Sequence, residues 1–418
     1  MLWLKNGYNG AYLSMMTVLT HRELNYFKVW HNSSPMKSGA WRTQLIKFVG
    51  TFFTCFYLTL KPLSEITMKA LNLYGVQDVR LEDVRKPEIE NANDVLIKIH
   101  TAGICGSDIS RFGKIGSYNP GLTWGHEFSG TVDSVGSGVT SVRKGDRVTA
   151  CNCFPCFHCD YCQQGNYARC TDMKVLGGQV NGAFAEYIRM PAENVLKLPD
   201  SMDFATASFI EPSSVVVHGM RQVDIKPGSS VAIVGCGTIG LLAVQWAKNC
   251  GAGDVFAFDT DEMKLALAAK TGATETFCVK DKNHFSRFQE ITHNAGVDVV
   301  FESSGNVTGI GSSLLLAAKG GTVVLLGIPY GDVALPRLNF EKIVRNELKV
   351  IGSWNSISAP FPGKEWQTSI HYLSTGQIDV SPLMTKRVLL KDVPSVLPGL
   401  YKRDEFFVKV LIDVEALS

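Results

Sequence analysis

From residue 68 onward the chain alternates apolar and polar positions over short stretches. Met68-Lys-Ala-Leu-Asn-Leu-Tyr and Val79-Arg-Leu-Glu-Asp-Val follow the period of two expected of strands, and Asp94-Val-Leu-Ile-Lys-Ile-His100 is a stronger strand still. Turns containing glycine and proline then separate short strands as far as Pro199, among them Phe128-Ser-Gly-Thr-Val-Asp-Ser-Val and Asp146-Arg-Val-Thr-Ala. This half reads as a β-rich, partly barrel-like unit. After Pro227 the texture changes. Apolar runs at 231–234, 255–258, 276–279, 297–301, 322–326 and 348–351 alternate with helical stretches, the pattern of a doubly wound parallel sheet. From about Asn355 mixed helix and strand return, ending in Phe407-Val-Lys-Val-Leu-Ile. The expected fold class is α/β, a β-rich unit followed by a doubly wound parallel-sheet unit. No internal repeat or low-complexity tract is present.

Residues 1–67 follow neither period. They hold 12 of the chain's aromatic residues, and the apolar run 48–60 is 13 residues long, too short for an ordinary membrane span. It lies too far in for a usual signal peptide, and no small-residue cleavage site follows. They read as a poorly ordered extension, with Met68 as the natural start. A membrane-associating anchor and a targeting segment are the competing readings, and mass spectrometry of the native N-terminus decides between them.

Charge and cysteine content narrow the class. Residues 1–67 carry 7 Lys/Arg against 2 Asp/Glu, which leaves 34 against 37 in the remainder of a chain with 41 and 39 in all. The part with regular periodicity is therefore mildly acidic and has no basic stripe, which speaks against a nucleic-acid partner. Six of the 11 cysteines fall between Cys151 and Cys170. Clustered cysteines in a large α/β chain point to metal rather than to a disulfide scaffold, and so to a reducing, cytoplasmic compartment.

Val231-Ala-Ile-Val-Gly235-Cys-Gly237-Thr238-Ile239-Gly240 joins an apolar strand to a helix through a G-x-G-x-x-G turn. Such a turn brings the backbone up to a pyrophosphate at a helix N-terminus. A second strand ends in Asp259, placed about 20 residues on to read a ribose 2′-OH. A dinucleotide site is expected, against an ordinary ligand-free βαβ turn. Cys236 fits as a small residue in a tight turn.

Cys156-x-x-Cys159-x-x-Cys162-x7-Cys170 is the most specific local signal. Four thiolates at these spacings can close a tetrahedral structural zinc site, with an iron–sulfur cluster or free thiols as alternatives. His158 is surplus to that set and is expected to be exposed. Cys151 and Cys153, just upstream, read as loop or strand-end core. A nucleic-acid zinc knuckle would want more bases than Arg169 around the cysteines.

Three further motifs are scattered along the chain: Gly103-Ile-Cys105-Gly-Ser107-Asp108, Gly125-His126-Glu127 and Phe209-Ile-Glu211-Pro212. Their spacing does not show that they converge. In order with the four cysteines, the glycine turn and Gly296-Val-Asp-Val-Val-Phe-Glu302, however, they make the chain resemble the zinc-dependent medium-chain dehydrogenases. Within that family it is similar to the polyol branch, with sorbitol and threonine dehydrogenases. The resemblance covers Met68 to about Asp413. It implies a GroES-like catalytic domain split across both ends of the chain (68–222 and 355–418), with its structural zinc lobe at 151–170, and a Rossmann NAD-binding domain between (223–354). It also implies two Zn²⁺ per chain, NAD, and a homo-oligomer, dimer or tetramer.

Carried over residue by residue, the resemblance implies a catalytic zinc on Cys105, His126 and Glu211, with Glu127 as an outer or exchanging ligand. Ser107 takes the position that hands off the substrate proton, and Ser110 stands where related enzymes continue the relay through a histidine. Asp259 is expected to favour NAD over NADP, with Lys264 either beside the ribose or a solvated helix lysine. Ile351-Gly-Ser-Trp-Asn-Ser-Ile-Ser-Ala-Pro-Phe-Pro-Gly-Lys-Glu-Trp366, with Thr123-Trp-Gly-His-Glu-Phe-Ser-Gly130 and Phe209-Ile-Glu-Pro, narrows the resemblance to members that oxidise galactitol 1-phosphate to tagatose 6-phosphate. Another polyol or secondary alcohol, such as sorbitol or butanediol, is the alternative substrate. A sugar phosphate needs a cationic subsite, for which Arg111, Lys114 and Lys364 are candidates by placement or else surface charges. The competing class is a metal-stabilised nucleotide-binding protein with a structural or sensing role.

Overall fold

A computed structural model of the chain describes residues 67–414. The expectations for 1–67 therefore lie, but for Thr67, outside the described residues. The first half is mainly strands, with short helices such as Asp160–Gln163 in the cysteine lobe: β1 (Thr67–Gly75), β2 (Asp78–Arg85), β3 (Asp94–Ile104), β4 (Leu122–Thr123), β5 (Glu127–Val135), β6 (Arg147–Ala150), β7 (Cys153–Phe154), β8 (Lys174–Val175), β9 (Tyr187–Pro191) and β10 (Val195–Lys197). β1, β2 and β4 form a small antiparallel sheet. β3 is its counterpart in the larger sheet, pairing with both β5 and β9. Its first four and last four residues are buried, as befits a strand with neighbours on both edges. One short helix, α1 (Gly106–Ser110), leaves the end of β3 and runs on into a π-helical turn, Arg111–Ile115.

Helix α2 (Ile210–Met220) leads into the second half. There β11 (Ser230–Val234), α3 (Thr238–Asn249), β12 (Asp254–Asp259), β13 (Glu275–Cys278), β14 (Val297–Glu302), β15 (Ala317–Leu325) and β16 (Lys349–Gly352) follow, with helices between the strands. The six strands are parallel in the order β13-β12-β11-β14-β15-β16. The chain thus reverses its direction of growth between β11 and β14, and in open α/β sheets that switch point is where ligands bind. All six expected strands are present. β15 begins at Ala317, five residues before the expected 322, because Gly320 takes φ +71° and a register shift absorbs the glycine pair. On one face Phe256, Phe258, Phe277 and Phe288 pack with ring centroids 4.7–6.2 Å apart. Each such pair adds ~0.5–1.5 kcal/mol beyond its buried area.

After β16 come α4 (Lys364–Ser374), β17 (Met384–Leu389) and β18 (Lys409–Asp413). β18 returns to the first sheet and pairs antiparallel with β3, Val410 opposite Ile104 and Leu411 opposite Gly103. The larger sheet therefore runs β10-β6-β5-β3-β18-β17, built from both ends of the chain. Helix α4 instead packs where the two halves meet. Its Ser369 meets Ser214 of α2 at 3.2 Å, Glu365 holds His218 of α2 at 2.9 Å, and the Tyr372 ring lies tilted against Trp246 of α3 with centroids 4.6 Å apart. One apolar cluster runs without a break from Cys151 and Phe209 through Trp246 to Trp366 and Leu411. The seam is thus core. Among the described residues no helix is long and apolar enough to cross a membrane.

Candidate active site

A cleft of about 2380 Å³ lies between the glycine turn and the start of α1. That exceeds the usual ~300–1,000 Å³ of a small-molecule pocket, so a dinucleotide and a second molecule fit together. On the parallel-sheet side Gly235 has φ +92°, and a Cβ there would fall 2.8 Å from Ser304. A Cβ on Gly240 would lie 1.7 Å from the Gly235 carbonyl oxygen, so helix and strand can approach only with glycine there. Gly237 faces open space and caps α3 without a side-chain partner. Gly237, Thr238 and Ile239 all line the cleft, which leaves the free N–H groups of the first turn available to an anion. Asp259 closes β12 beside them: its carboxylate accepts the Cys236 N–H at 2.6 Å and the Asp261 N–H at 3.0 Å. Lys264 lines the same end. Cys236 is fully buried, and burial raises its thiol pKa, in keeping with a packing role.

On the other wall, ligand atoms of Cys105, His126 and Glu127 lie within 4.8 Å of one another. Sheet register does this. Gly103 on β3 pairs with Glu127 on β5, and a Cβ at Gly103 would strike the Glu127 carboxylate at 2.3 Å. Cys105 caps α1, where its N–H donates to buried Asp108 at 2.9 Å. The other oxygen of Asp108 stands 3.6 Å from His126 Nδ1. Burial opposes charge on His126, yet Asp108, Cys105 and Glu211 raise its pKa well above the usual histidine value. Lys409 of β18, only 2% exposed, meets Glu127 Oε2 at 2.5 Å and the Ile104 carbonyl at 3.2 Å.

Glu211, in the first turn of α2, lines the same cleft. It accepts a hydrogen bond from Asn152 Nδ2 at 2.8 Å and stands outside the three-residue cluster. Burial, with the nearby Glu127 charge, pushes its carboxyl up to about 7 against the pull of His126 and Lys409. Glu127 Oε1 is buried and meets no donor. An orphan acceptor flanked by a thiol and an imidazole, with a second carboxylate close by, is a set that fits zinc.

Cys156, Cys159, Cys162 and Cys170 also bring their sulfurs within 4.8 Å of one another. Backbone N–H groups point inward, from Cys156 to Cys170 Sγ at 3.2 Å and from Cys159 to Cys156 Sγ at 3.3 Å. Backbone donors of Thr171 and Cys162 lower the Cys159 thiol to about 6, while burial pushes Cys162 up to about 12. All ten described cysteines are free. Four sulfurs this close together fit a closed tetrahedral zinc site. His158 is exposed, as expected, and Cys151 and Cys153 are buried. The lobe is not isolated. Phe157 and Tyr167 close a triangle of rings with Phe361, centroids 5.2–5.8 Å apart. Phe361 belongs to the segment 353–363, whose Ser353, Trp354 and Asn355 line the cleft.

Of the three expected cations, Arg111 and Lys114 line the cleft and Lys364 does not. Ser107 and Ser110 line it too, as does Tyr330. Sequence reasoning missed Lys409, Asn152 and the tethering role of Asp108. The signal for Lys409 was present: one charge inside an apolar strand.

Fold and site together define an oxidoreductase with a dinucleotide fold and a β-rich partner whose side chains could hold metal. Residues 91–200 match the alcohol dehydrogenase GroES-like domain and 238–373 the zinc-binding dehydrogenase domain. The chain belongs to the zinc-dependent medium-chain dehydrogenase family, in its polyol and alcohol dehydrogenase branch. It is 37% identical to galactitol 1-phosphate 5-dehydrogenase of Escherichia coli K12, over 74% of this chain and 89% of that one. A crystal structure of the galactitol-1-phosphate dehydrogenase from Escherichia coli matches with a TM-score of 0.78 at 34% identity, over 83% of this chain and 100% of the other. Sorbitol dehydrogenase of Bacillus subtilis is 32% identical over 82% of this chain and 97% of its own length. A putative zinc-binding dehydrogenase from Sinorhizobium meliloti, solved bound to NADP, matches with a TM-score of 0.75 at 32% identity over 83% and 99%.

Proposed function

We propose that the cleft oxidises a secondary hydroxyl of a polyol phosphate with NAD, galactitol 1-phosphate to tagatose 6-phosphate being the first reaction to test. The observation that carries this reading is the meeting of Cys105, His126 and Glu127, with one orphan carboxylate oxygen, in the cleft that also holds the glycine turn. In this reading 68–222 with 355–418 forms the catalytic unit and 223–354 the dinucleotide unit. Cys105, His126 and Glu211 would hold the catalytic zinc, with Glu127 exchanging onto it. Cys156, Cys159, Cys162 and Cys170 would hold a structural one. When bound, zinc supplies Lewis acidity at the substrate hydroxyl and the nicotinamide ring the hydride acceptor.

The chain's own residues do the rest. Asp108 fixes both the Cys105 backbone and the His126 ring. Lys409 draws Glu127 back toward β18, and Asn152 orients Glu211. Ser107 takes the hydroxyl proton. Gly235, Gly237, Thr238, Ile239 and Gly240 cradle the pyrophosphate. Asp259 accepts the ribose hydroxyls and repels a 2′-phosphate, with Lys264 beside it. The reading includes a homo-oligomer, dimer or tetramer, in the cytoplasm, where free thiols persist.

The identity to a sorbitol dehydrogenase favours a free polyol as the second reading. One experiment separates them: formation of reduced dinucleotide from galactitol 1-phosphate, galactitol, sorbitol and butanediol, with NAD and with NADP, before and after chelator. The expected result is NAD reduction with the phosphate ester, lost on chelation. Full zinc loading with no turnover of any substrate would overturn the reading in favour of a nucleotide-binding role without chemistry.

A further inference from the structure

Two cations line the cleft without forming an ion pair among the described residues. Arg111 follows α1 directly, and Lys114 lies three residues on in the π-helical turn. Both line the cleft. Among the described residues neither has an acidic partner within 4.0 Å, whereas Lys409 in the same cleft is ion-paired. Arg111 is nonetheless held in place. Its Nη1 donates to the Gly177 carbonyl at 3.0 Å, and its guanidinium lies 4.5 Å over the ring of Tyr118. A backbone carbonyl and an aromatic face orient the guanidinium without cancelling its charge, and they leave its other N–H groups without a protein acceptor among the described residues.

We propose that Arg111, assisted by Lys114, is the anion subsite that takes the phosphate ester of the substrate. This rests on the polyol dehydrogenase reading above. The span agrees. Six residues at the helical rise put Arg111 about 9 Å along from Cys105. A phosphorus atom six bonds from the reacting carbon lies about 7 Å away in an extended chain, at ~1.2 Å of advance per bond. A phosphate at the far end of a hexitol oxidised at its fifth carbon therefore falls within the guanidinium's reach. Arginine grips such a group through two parallel N–H bonds, and lysine adds a point charge. The dinucleotide's own phosphates have a separate cradle at the start of α3.

The test compares kcat/KM for galactitol 1-phosphate and for galactitol in zinc-loaded wild type, R111M, R111K and K114M. Wild type should favour the ester. R111M should lower kcat/KM for the ester ~10- to 100-fold, chiefly through KM, and should collapse the preference over the free polyol; R111K should recover part of it. K114M should lose a smaller factor, and its exposed side chain keeps the test decisive if R111M folds poorly. Inorganic phosphate should compete with the ester in wild type and lose that competition in R111M. An ester preference unchanged in both R111M and K114M overturns the subsite alone. A raised KM for the dinucleotide with an intact ester preference also overturns it, by assigning the guanidinium to the cofactor. A wild type that turns over galactitol as well as its phosphate overturns the substrate reading and the subsite together.

Discussion

The four cysteines of the lobe lie within the fifteen residues 156–170, while Cys105, His126, Glu127 and Glu211 come from three segments spread over 105–211. The lobe needs only a turn, a short helix and backbone N–H groups aimed at sulfur. The cleft site needs the register of β3 on β5, the return of β18 from the far end of the chain, and the placement of α2. A closed site can thus be written locally. A site that opens onto the cleft is positioned by the whole fold, and its supports range from Asp108, three residues from Cys105, to Lys409, 282 residues from Glu127.

That contrast can be broken most directly by exchanging the phenotypes. Glu211→Ala should cost at least ~100-fold in turnover while leaving the melting temperature near wild type. Cys159→Ser should do the reverse, halving zinc content and lowering Tm, because metal affinity in a closed site is folding free energy. Equal Tm losses in both variants would show that the cleft site is structural too.

Lys409→Met tests whether the cleft depends on distant supports. It strands a buried Glu127 charge and should destabilise the protein by ~3–5 kcal/mol in thermal or denaturant melts, with Lys409→Arg restoring much of it. A neutral K409M would mean that Glu127 never relied on β18. Asp108→Asn weakens the hold on His126 and should reduce turnover ~10- to 100-fold with zinc content kept near two equivalents. Loss of the catalytic zinc instead would make Asp108 a determinant of binding rather than of orientation.

The smallest expected effect concerns Glu365, which joins the segment 353–363 to α2 through Ser358 Oγ at 2.7 Å and His218 at 2.9 Å. Burial alone would raise its carboxyl pKa, but His218, Ser358 and its own backbone N–H lower it from the ordinary glutamate value. A depressed folded-state pKa stabilises the fold above the unfolded value of ~4.3, and that contribution fades as pH falls through the folded one. Glu365→Gln should therefore flatten the acid limb of a Tm–pH curve and leave its shape above neutrality unchanged. An unaltered acid limb would remove Glu365 from the acid response.

The strands were legible because their periods are local, and the cysteine lobe because its spacing is. The cleft site was not legible from spacing; it came from resemblance, since convergence belongs to sheet register. Lys409 shows the limit well. A lysine within Phe407-Val-Lys-Val-Leu-Ile is anomalous on any reading, yet its partner lies 282 residues away. Asn152 gave no signal, being one polar residue between two cysteines. The early start of β15 was hidden because glycine pairs usually end strands rather than bulge within them.

The triangle of Phe157, Tyr167 and Phe361 carries a consequence for redesign. Segment 353–363 reaches the cleft at one end and leans on the cysteine lobe at the other. A Cβ on Gly165 would fall 2.9 Å from Ala359, so even the lobe's glycine is fitted to that segment. Anyone transplanting a new specificity loop into this scaffold is in effect transplanting half of a joint. The lobe residues 157, 165 and 167 belong in the same cassette.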